Sequence, residues 1–212
     1  MKIALIAPTG NIGTAIAAEA LRRGHHVTGI VRSERAVPAA LAGMTLTVAD
    51  LFDAQALASA VAGHDAIASA YGPAPDNAGA VKQVAAALVG AARTSGIRRL
   101  AVVGGAGSLE VAPGMQLVDT PNFPDQYKPY ALAHREAFNL LKTVDDLDWT
   151  FFAPAALISA GDRLGHFKVG ARTLLTDAAG NSKIHYPDYA DAFVTALEQG
   201  QFIKDIATVA YQ

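Results

Sequence analysis

The chain has 212 residues, 51% apolar and 17% charged, with a formal net charge of −2 and no cysteine. That length suits one sizeable core and is short for two. The lack of cysteine excludes disulfides, thiolate metal sites and cysteine nucleophiles, and the lack of a basic block argues against a nucleic-acid partner.

No apolar run reaches the ~20 residues of a membrane helix, and the first residues show no signal-peptide pattern. The expectation is therefore a cytoplasmic protein without a membrane partner, monomeric or homodimeric. Chain order then begins with a compact unit. Ile3–Ala7 is an apolar run suited to a strand buried on both faces. A turn, Pro8-Thr9-Gly10-Asn11-Ile12-Gly13, leads to a helical pattern over Thr14–Arg23. Gly24 ends it as a left-handed cap, and a second apolar run follows over Val27–Val31. Strand, helix and strand in about thirty residues make one βαβ crossover. A helix N-terminus carries free N–H groups and partial positive charge, which attract phosphate. Gly10 and Gly13 are spaced so that backbone, helix and a pyrophosphate can approach one another. A plain βα turn would also use glycines. In dinucleotide folds an acid ending the second strand holds the ribose, whereas an arginine accommodates a 2′-phosphate. Val27–Arg32 contains no acid and ends in Arg32, with Ser33 and Arg35 beyond, so NADP is expected in preference to NAD.

The strand and helix patterns continue in alternation. Met44–Ala49 is a third strand, ending in Asp50-Leu51; Asp53–Ala62 is a helix, with Asp50 in its N-cap region. Asp65–Ala70 is a fourth strand, cut short by Tyr71-Gly72-Pro73. A long helix spans Asn77–Ser95 with Gly96 ending it, and Arg99–Val103 is a fifth strand, leading into Gly104-Gly105-Ala106-Gly107-Ser108. Leu109–Pro129 is a proline-punctuated stretch, read as a lid or binding loop because structureless loops of that length are rare in compact domains. Its Phe123 and Tyr127 could offer flat apolar surface to a substrate or anchor the loop. Tyr130–Val144 is a helix on which Tyr130 and His134, at i and i+4, share a face. Asp148–Ala153 is a sixth strand. Small strands and turns follow over the Gly-punctuated GDRLGHFKVG, Thr173–Thr176 and Asp177–Lys183, then a helix from Tyr186 to Gln199 with Pro187 in its first turn, and a last strand over Ile206–Tyr211. The remaining histidines, 25, 26, 64, 166 and 185, lack ligand spacing, and no metal site is expected.

The turn Ala7-Pro8-Thr9-Gly10-Asn11-Ile12-Gly13 resembles the GxxGxxG of short-chain dehydrogenase/reductases, in the atypical branch that carries GATGxxG. Ala7 stands where the first glycine would be. Alanine substitutes for glycine only where φ is negative, and Pro8 biases Ala7 toward an extended backbone. GGAGSL at Gly104–Leu109, the YALAH helix, LDWTFFAPAAL, GDRLGHFKVG and DYADAFVTALE with TVAY are together similar to the NADH-flavin reductase branch, related to biliverdin IXβ (flavin) reductase and to NmrA-like proteins.

The resemblance implies a nicotinamide cofactor held by Thr9, Gly10, Asn11, Ile12, Gly13, Arg32, Asp50, Leu51, Ala70, Tyr71, Gly72, Gly104, Gly105, Pro154 and Ala155. It also points to Tyr130, His134 and Ser108 as catalytic candidates. In the superfamily the helix reads YxxxK, and the lysine charge lowers the tyrosine pKa so that its hydroxyl exchanges a proton with the substrate. Here His134 stands in place of that lysine, glycines occupy the usual serine position, and Ser108 comes late. A histidine with an ordinary pKa of about 6.5 is mostly neutral at physiological pH, so ordinary alcohol dehydrogenation is disfavoured. A pair on the helix surface without catalytic duty is an equal reading, and Ser108 reads more readily as a loop-stabilising hydroxyl.

The expected architecture is α/β: one Rossmann domain over residues 1–212 with a doubly wound parallel sheet, residues 104–129 and 155–185 forming small substrate-side elements. The expected activity is NAD(P)H-dependent hydride transfer to a small-molecule flavin or quinone. The alternatives are an NADP(H)-sensing regulator without turnover, or a reductase or epimerase of a small carbonyl or sugar.

Overall fold

The computed structural model describes residues 1–72 and 77–212. The first half alternates β1 (Lys2–Ile6), α1 (Asn11–Arg22), β2 (His26–Val31), β3 (Thr45–Val48), α2 (Ala54–Val61), β4 (Ala66–Ser69) and α3 (Ala80–Ser95). It continues through β5 (Arg99–Val103), the short β6 (Glu110–Ala112) and β7 (Met115–Gln116), α4 (Lys128–Leu141) and β8 (Asp148–Ala153). The chain ends with β9 (Leu157–Ser159), β10 (Lys168–Ala171), β11 (Lys183–His185), α5 (Tyr186–Glu198) and β12 (Asp205–Ala210). The expected turn residue Pro73 lies outside the described residues.

Eight strands form one sheet in the order β10-β12-β8-β5-β4-β1-β2-β3, parallel throughout except for antiparallel β10. From β1 the chain winds outward to β2 and β3, then returns to the other side of β1 as β4. The strand order therefore reverses between β1 and β4, and a crevice opens at their carboxyl ends. This is the doubly wound Rossmann architecture. Near-continuous apolar strands make it possible, because both faces of the sheet are covered. Alternate strand residues pack with Leu57, Leu88 and Leu141 of α2, α3 and α4 on one face. The others pack with Ile16 of α1 and Tyr189 and Phe193 of α5 on the opposite face.

Several expected boundaries move for identifiable reasons. α1 begins at Asn11 rather than Thr14, with Gly10 as its N-cap, because the Thr14 N–H already closes on the Gly10 carbonyl at 2.8 Å. α2 is capped by Asp53, whose carboxylate accepts from the Gln55 and Ala56 N–H groups, so Asp53 precedes the helix and Asp50 is not its cap. Of the small strands and turns expected after β8, the strand that joins the main sheet is β10, paired with β12, and Thr173–Thr176 is irregular chain beyond it. Gly24 and Gly96 adopt φ of +81° and +72°, the left-handed ends that stop α1 and α3.

The stretch after Leu109 is far more ordered than a loop. β6 and β7 form a hairpin, and Val118 is fully buried. Arg135 on α4 holds Asp119 at 2.7 Å, and Leu117 donates its N–H to the Leu109 carbonyl at 2.8 Å. Length alone suggested a lid; local hydrogen bonds and one buried valine make residues 109–119 part of the scaffold. Beyond them Phe123 is half-buried and Tyr127 is exposed.

Candidate functional site: a cleft at the strand-order reversal

A cleft of about 230 Å³ opens where the strand order reverses. Thr9 and Gly10 line it from the first turn, Arg32 from the end of β2, Leu51 from beyond β3, and Ala70, Tyr71 and Gly72 from beyond β4. The fold thus brings seven residues expected from the sequence to one place. Asn11, Ile12 and Gly13 form the adjoining first turn of α1, which has no side-chain cap and no acid in its first turn. Its positive end is left for an anion.

Gly13 has no room for a side chain: a Cβ there would stand 2.1 Å from the Ala7 carbonyl oxygen. The turn is thus pressed onto the helix, as a pyrophosphate cradle requires. Ala7 itself has φ +56°. The expected extended backbone at Ala7 is therefore wrong. The tight turn over Gly13 imposes the left-handed conformation that a glycine would adopt freely, against the preference set by Pro8.

Sequence reasoning passed over Arg35 as a site residue. Its Nη1 donates to Thr9 Oγ1 at 3.0 Å, and the guanidinium lines the same cleft as Arg32. The signal was present as a second arginine three positions on. Asp50 is exposed, and its Oδ1 accepts the Phe52 N–H at 2.9 Å, a local turn beside the cleft; the neighbouring Leu51 is 2% exposed.

The other expected residues divide between two places. Gly104 and Gly105 follow β5 at the carboxyl edge, where the Gly104 N–H donates to the Phe152 carbonyl at 2.9 Å. A Cβ on Gly104 would stand 2.3 Å from the Phe151 ring, and one on Gly105 would stand 3.0 Å from His134 Cβ. The position where the superfamily carries serine is thus filled from the side by an aromatic ring. Pro154 and Ala155 are buried beyond β8 at the same edge.

His134 is not on the helix surface. It is 9% exposed and meets Phe151 edge-on at 6.5 Å, and Nδ1 has no partner among the described residues. Burial pushes its pKa down to about 4, so the ring is neutral at physiological pH. Tyr130 is half-buried. Ser108 is 2% exposed and its Oγ, enclosed within the fold, has no partner among the described residues either, so no side-chain hydrogen bond from it stabilises the loop. The described residues contain no cluster of three or more possible metal ligands, and no helix long and apolar enough to cross a membrane.

Fold, switch-point cleft and glycine-cradled helix start define an oxidoreductase-type Rossmann protein of the atypical short-chain dehydrogenase/reductase class, with a nicotinamide cofactor. The chain belongs to the NAD(P)H-binding family, whose family model matches residues 8–200. It is 56% identical to a solved protein of Burkholderia pseudomallei named a "putative exported protein", each covering 100% of the other at a TM-score of 0.93. It is 35% identical to a solved "putative NADH-flavin reductase" of Streptococcus pneumoniae TIGR4, again over 100% of both chains, at a TM-score of 0.89. The Bacillus subtilis (strain 168) protein YwnB is 36% identical over 99% of this chain and 98% of its own length.

Proposed function

We propose that this protein is an NADPH-dependent reductase of a flavin or quinone. The observation that carries the reading is the missing proton relay at the carboxyl edge. No serine follows β5 directly, because Phe151 fills the space beside Gly104. No fixed cation stands one turn from Tyr130, because buried His134 is neutral. A carbonyl substrate builds negative charge on one oxygen and needs a placed donor there. An oxidised isoalloxazine or quinone spreads that charge over a conjugated ring, and solvent completes the protonation. The name of the Streptococcus pneumoniae relative points the same way.

In this reading the N–H groups of Asn11, Ile12 and Gly13 hold the pyrophosphate, and Thr9 and Gly10 shape the turn above it. Arg32 and Arg35 take the 2′-phosphate. Asp50, Leu51, Ala70, Tyr71 and Gly72 enclose the adenosine side, and Gly104, Gly105, Pro154 and Ala155 border the nicotinamide. The bound nicotinamide supplies a hydride. The protein's part is to hold the acceptor ring against it, a proximity effect, with Phe123 and Tyr127 as the candidate surface. A cytoplasmic location belongs to the same reading, and fractionation of the native host tests it.

The test is NADPH oxidation against FMN, riboflavin, simple quinones, aldehydes and keto sugars. Turnover with the conjugated acceptors is expected, and Tyr130→Phe should reduce it by well under the roughly 10²–10⁴-fold that losing a general acid–base group costs. Turnover confined to carbonyl compounds and strictly dependent on Tyr130 would overturn the proposal. Tight NADPH binding without any turnover would make the protein a sensor instead.

A further inference from the structure

The hydroxyls around the first turn of α1 are committed unequally. Thr14 Oγ1 donates to the Pro8 carbonyl at 3.3 Å, so its proton is spent on the turn itself. Thr9 Oγ1 accepts from Arg35, on the rim that Arg32 shares. Another hydroxyl arrives from a distant part of the chain: Asn11 Nδ2 donates to Tyr186 Oη at 3.4 Å. Asn11 opens α1 and is exposed; Tyr186 opens α5 and is half-buried. In this contact the Tyr186 oxygen is the acceptor, which leaves its own proton for a further acceptor.

The fold sets the side from which Tyr186 meets the turn. β2 and β3 lie on one side of β1, and β8 lies on the other. The cleft lined by Arg32, Arg35 and Leu51 belongs to the first side. α5 packs beside α1 on one face of the sheet, and Tyr189 Oη donates to the Phe152 carbonyl of β8 at 2.6 Å. β11, which leads into α5, runs parallel to β9, just beyond Ala155. Tyr186 therefore approaches from the side of β8, opposite the arginines. Its backbone is fixed on both flanks: the His185 N–H donates to Tyr211 Oη at 3.1 Å, and Asp188 accepts the Leu164 and Gly165 N–H groups. A donor held in this way loses little freedom when it meets a ligand.

We propose that Tyr186 is a cofactor-binding residue, whose hydroxyl donates to the nicotinamide-side phosphate of the pyrophosphate while Asn11 keeps that hydroxyl in place. The positive start of α1 attracts either phosphate. The Tyr186 hydroxyl is directional, and it adds a contact that a ligand with the adenosine-side phosphate alone does not make. The proposal rests on the cofactor placement given above and is independent of the acceptor.

The test is calorimetric titration of NADP⁺, 2′-phospho-ADP-ribose and 2′,5′-ADP into the wild type and Tyr186→Phe. The first two ligands carry both phosphates of the pyrophosphate, and 2′,5′-ADP carries only the adenosine-side one. Tyr186→Phe should weaken NADP⁺ and 2′-phospho-ADP-ribose about tenfold each, the scale of a hydrogen bond to a charged group, and leave 2′,5′-ADP within about twofold. Unchanged NADP⁺ affinity would overturn the proposal. An equal loss with 2′,5′-ADP would also overturn it, because Tyr186 would then support the turn as a whole. So would a loss confined to NADP⁺, which would put the hydroxyl against the nicotinamide half. If the wild type bound none of the three, the cofactor placement would fall, and the proposal with it.

Discussion

Ala7 carries a φ of +56° immediately before a proline, a conformation an L-residue adopts at a cost of about 1–2 kcal/mol. Glycine would relieve that strain but would add freedom to the unfolded chain, worth about 0.4–1 kcal/mol in the opposite direction. Ala7→Gly should therefore stabilise the protein by about 0.5–1 kcal/mol in urea unfolding; a loss of stability would show that Ala7 is not strained. The two arginines that line the cleft make a different prediction. Arg35 already reaches Thr9 Oγ1, and Arg32 is exposed on the same rim. Charge-assisted contacts to a 2′-phosphate are stronger than neutral ones. Arg32→Ala should weaken NADPH by about 1–3 kcal/mol and leave NADH nearly unchanged. Equal losses for both cofactors would remove the basis for NADP preference.

Among the elements, α1 and α5 are joined by an ionic network that no local pattern announces. Glu19, 4% exposed, is bound by Arg22, Arg23 and Arg163, and Arg23 extends the chain to Asp191 and Glu198 on α5. Burial alone would raise the Glu19 pKa, but hydrogen bonds from Arg22 and Arg23 and the charge of Arg163 outweigh it and hold the carboxyl at about 2, against an ordinary 4.5. The folded pKa lies below the unfolded one. The stabilisation is thus complete above about pH 4.5 and is lost as pH falls toward 2. Glu19→Gln should cost about 2–3 kcal/mol near pH 7, below the usual cost of breaking a buried pair because Arg22 and Arg163 can rehydrate. The gap from wild type should close as urea midpoints are followed from pH 4.5 downward; a gap independent of pH would exclude the charged form as its cause. The same network meets a second anchor. Asp188 at the start of α5 accepts the Leu164 and Gly165 N–H groups at 2.8 and 2.9 Å, fixing the segment that carries Arg163.

At the level of the molecule, the cleft joins the two halves of the sheet, since the turn after β1, the end of β2 and the residues beyond β2 and β3 supply one wall and the chain beyond β4 the other. A ligand that binds only this folded arrangement stabilises it by mass action, about 2.7 kcal/mol at a hundredfold excess over Kd. For a domain near 200 residues that corresponds to a rise in thermal midpoint of roughly 5–10 °C. NADP⁺ should produce this rise in the wild type and none in Gly13→Val, whose added side chain must displace the Ala7 carbonyl; an equal rise in both would place the cofactor elsewhere. The alternation of strands and helices, the glycine-cradled turn and the breaks at Gly24 and Gly96 were legible in the residues alone, because these depend on periodicity, on φ and on neighbours within a few residues. The residues alone also marked most of the cleft, since in a parallel sheet every strand's carboxyl end arrives at one edge. It took the packed fold to make Ala7 left-handed, to bring Arg35 beside Arg32 and to bury His134 in neutral form. The packed fold likewise decided that Ser108 is buried with its hydroxyl unpaired among the described residues. Each of these depends on what packs there from distant parts of the chain, such as Gly13 under Ala7 or Phe151 against His134, and a side chain's environment is not written in its own neighbours.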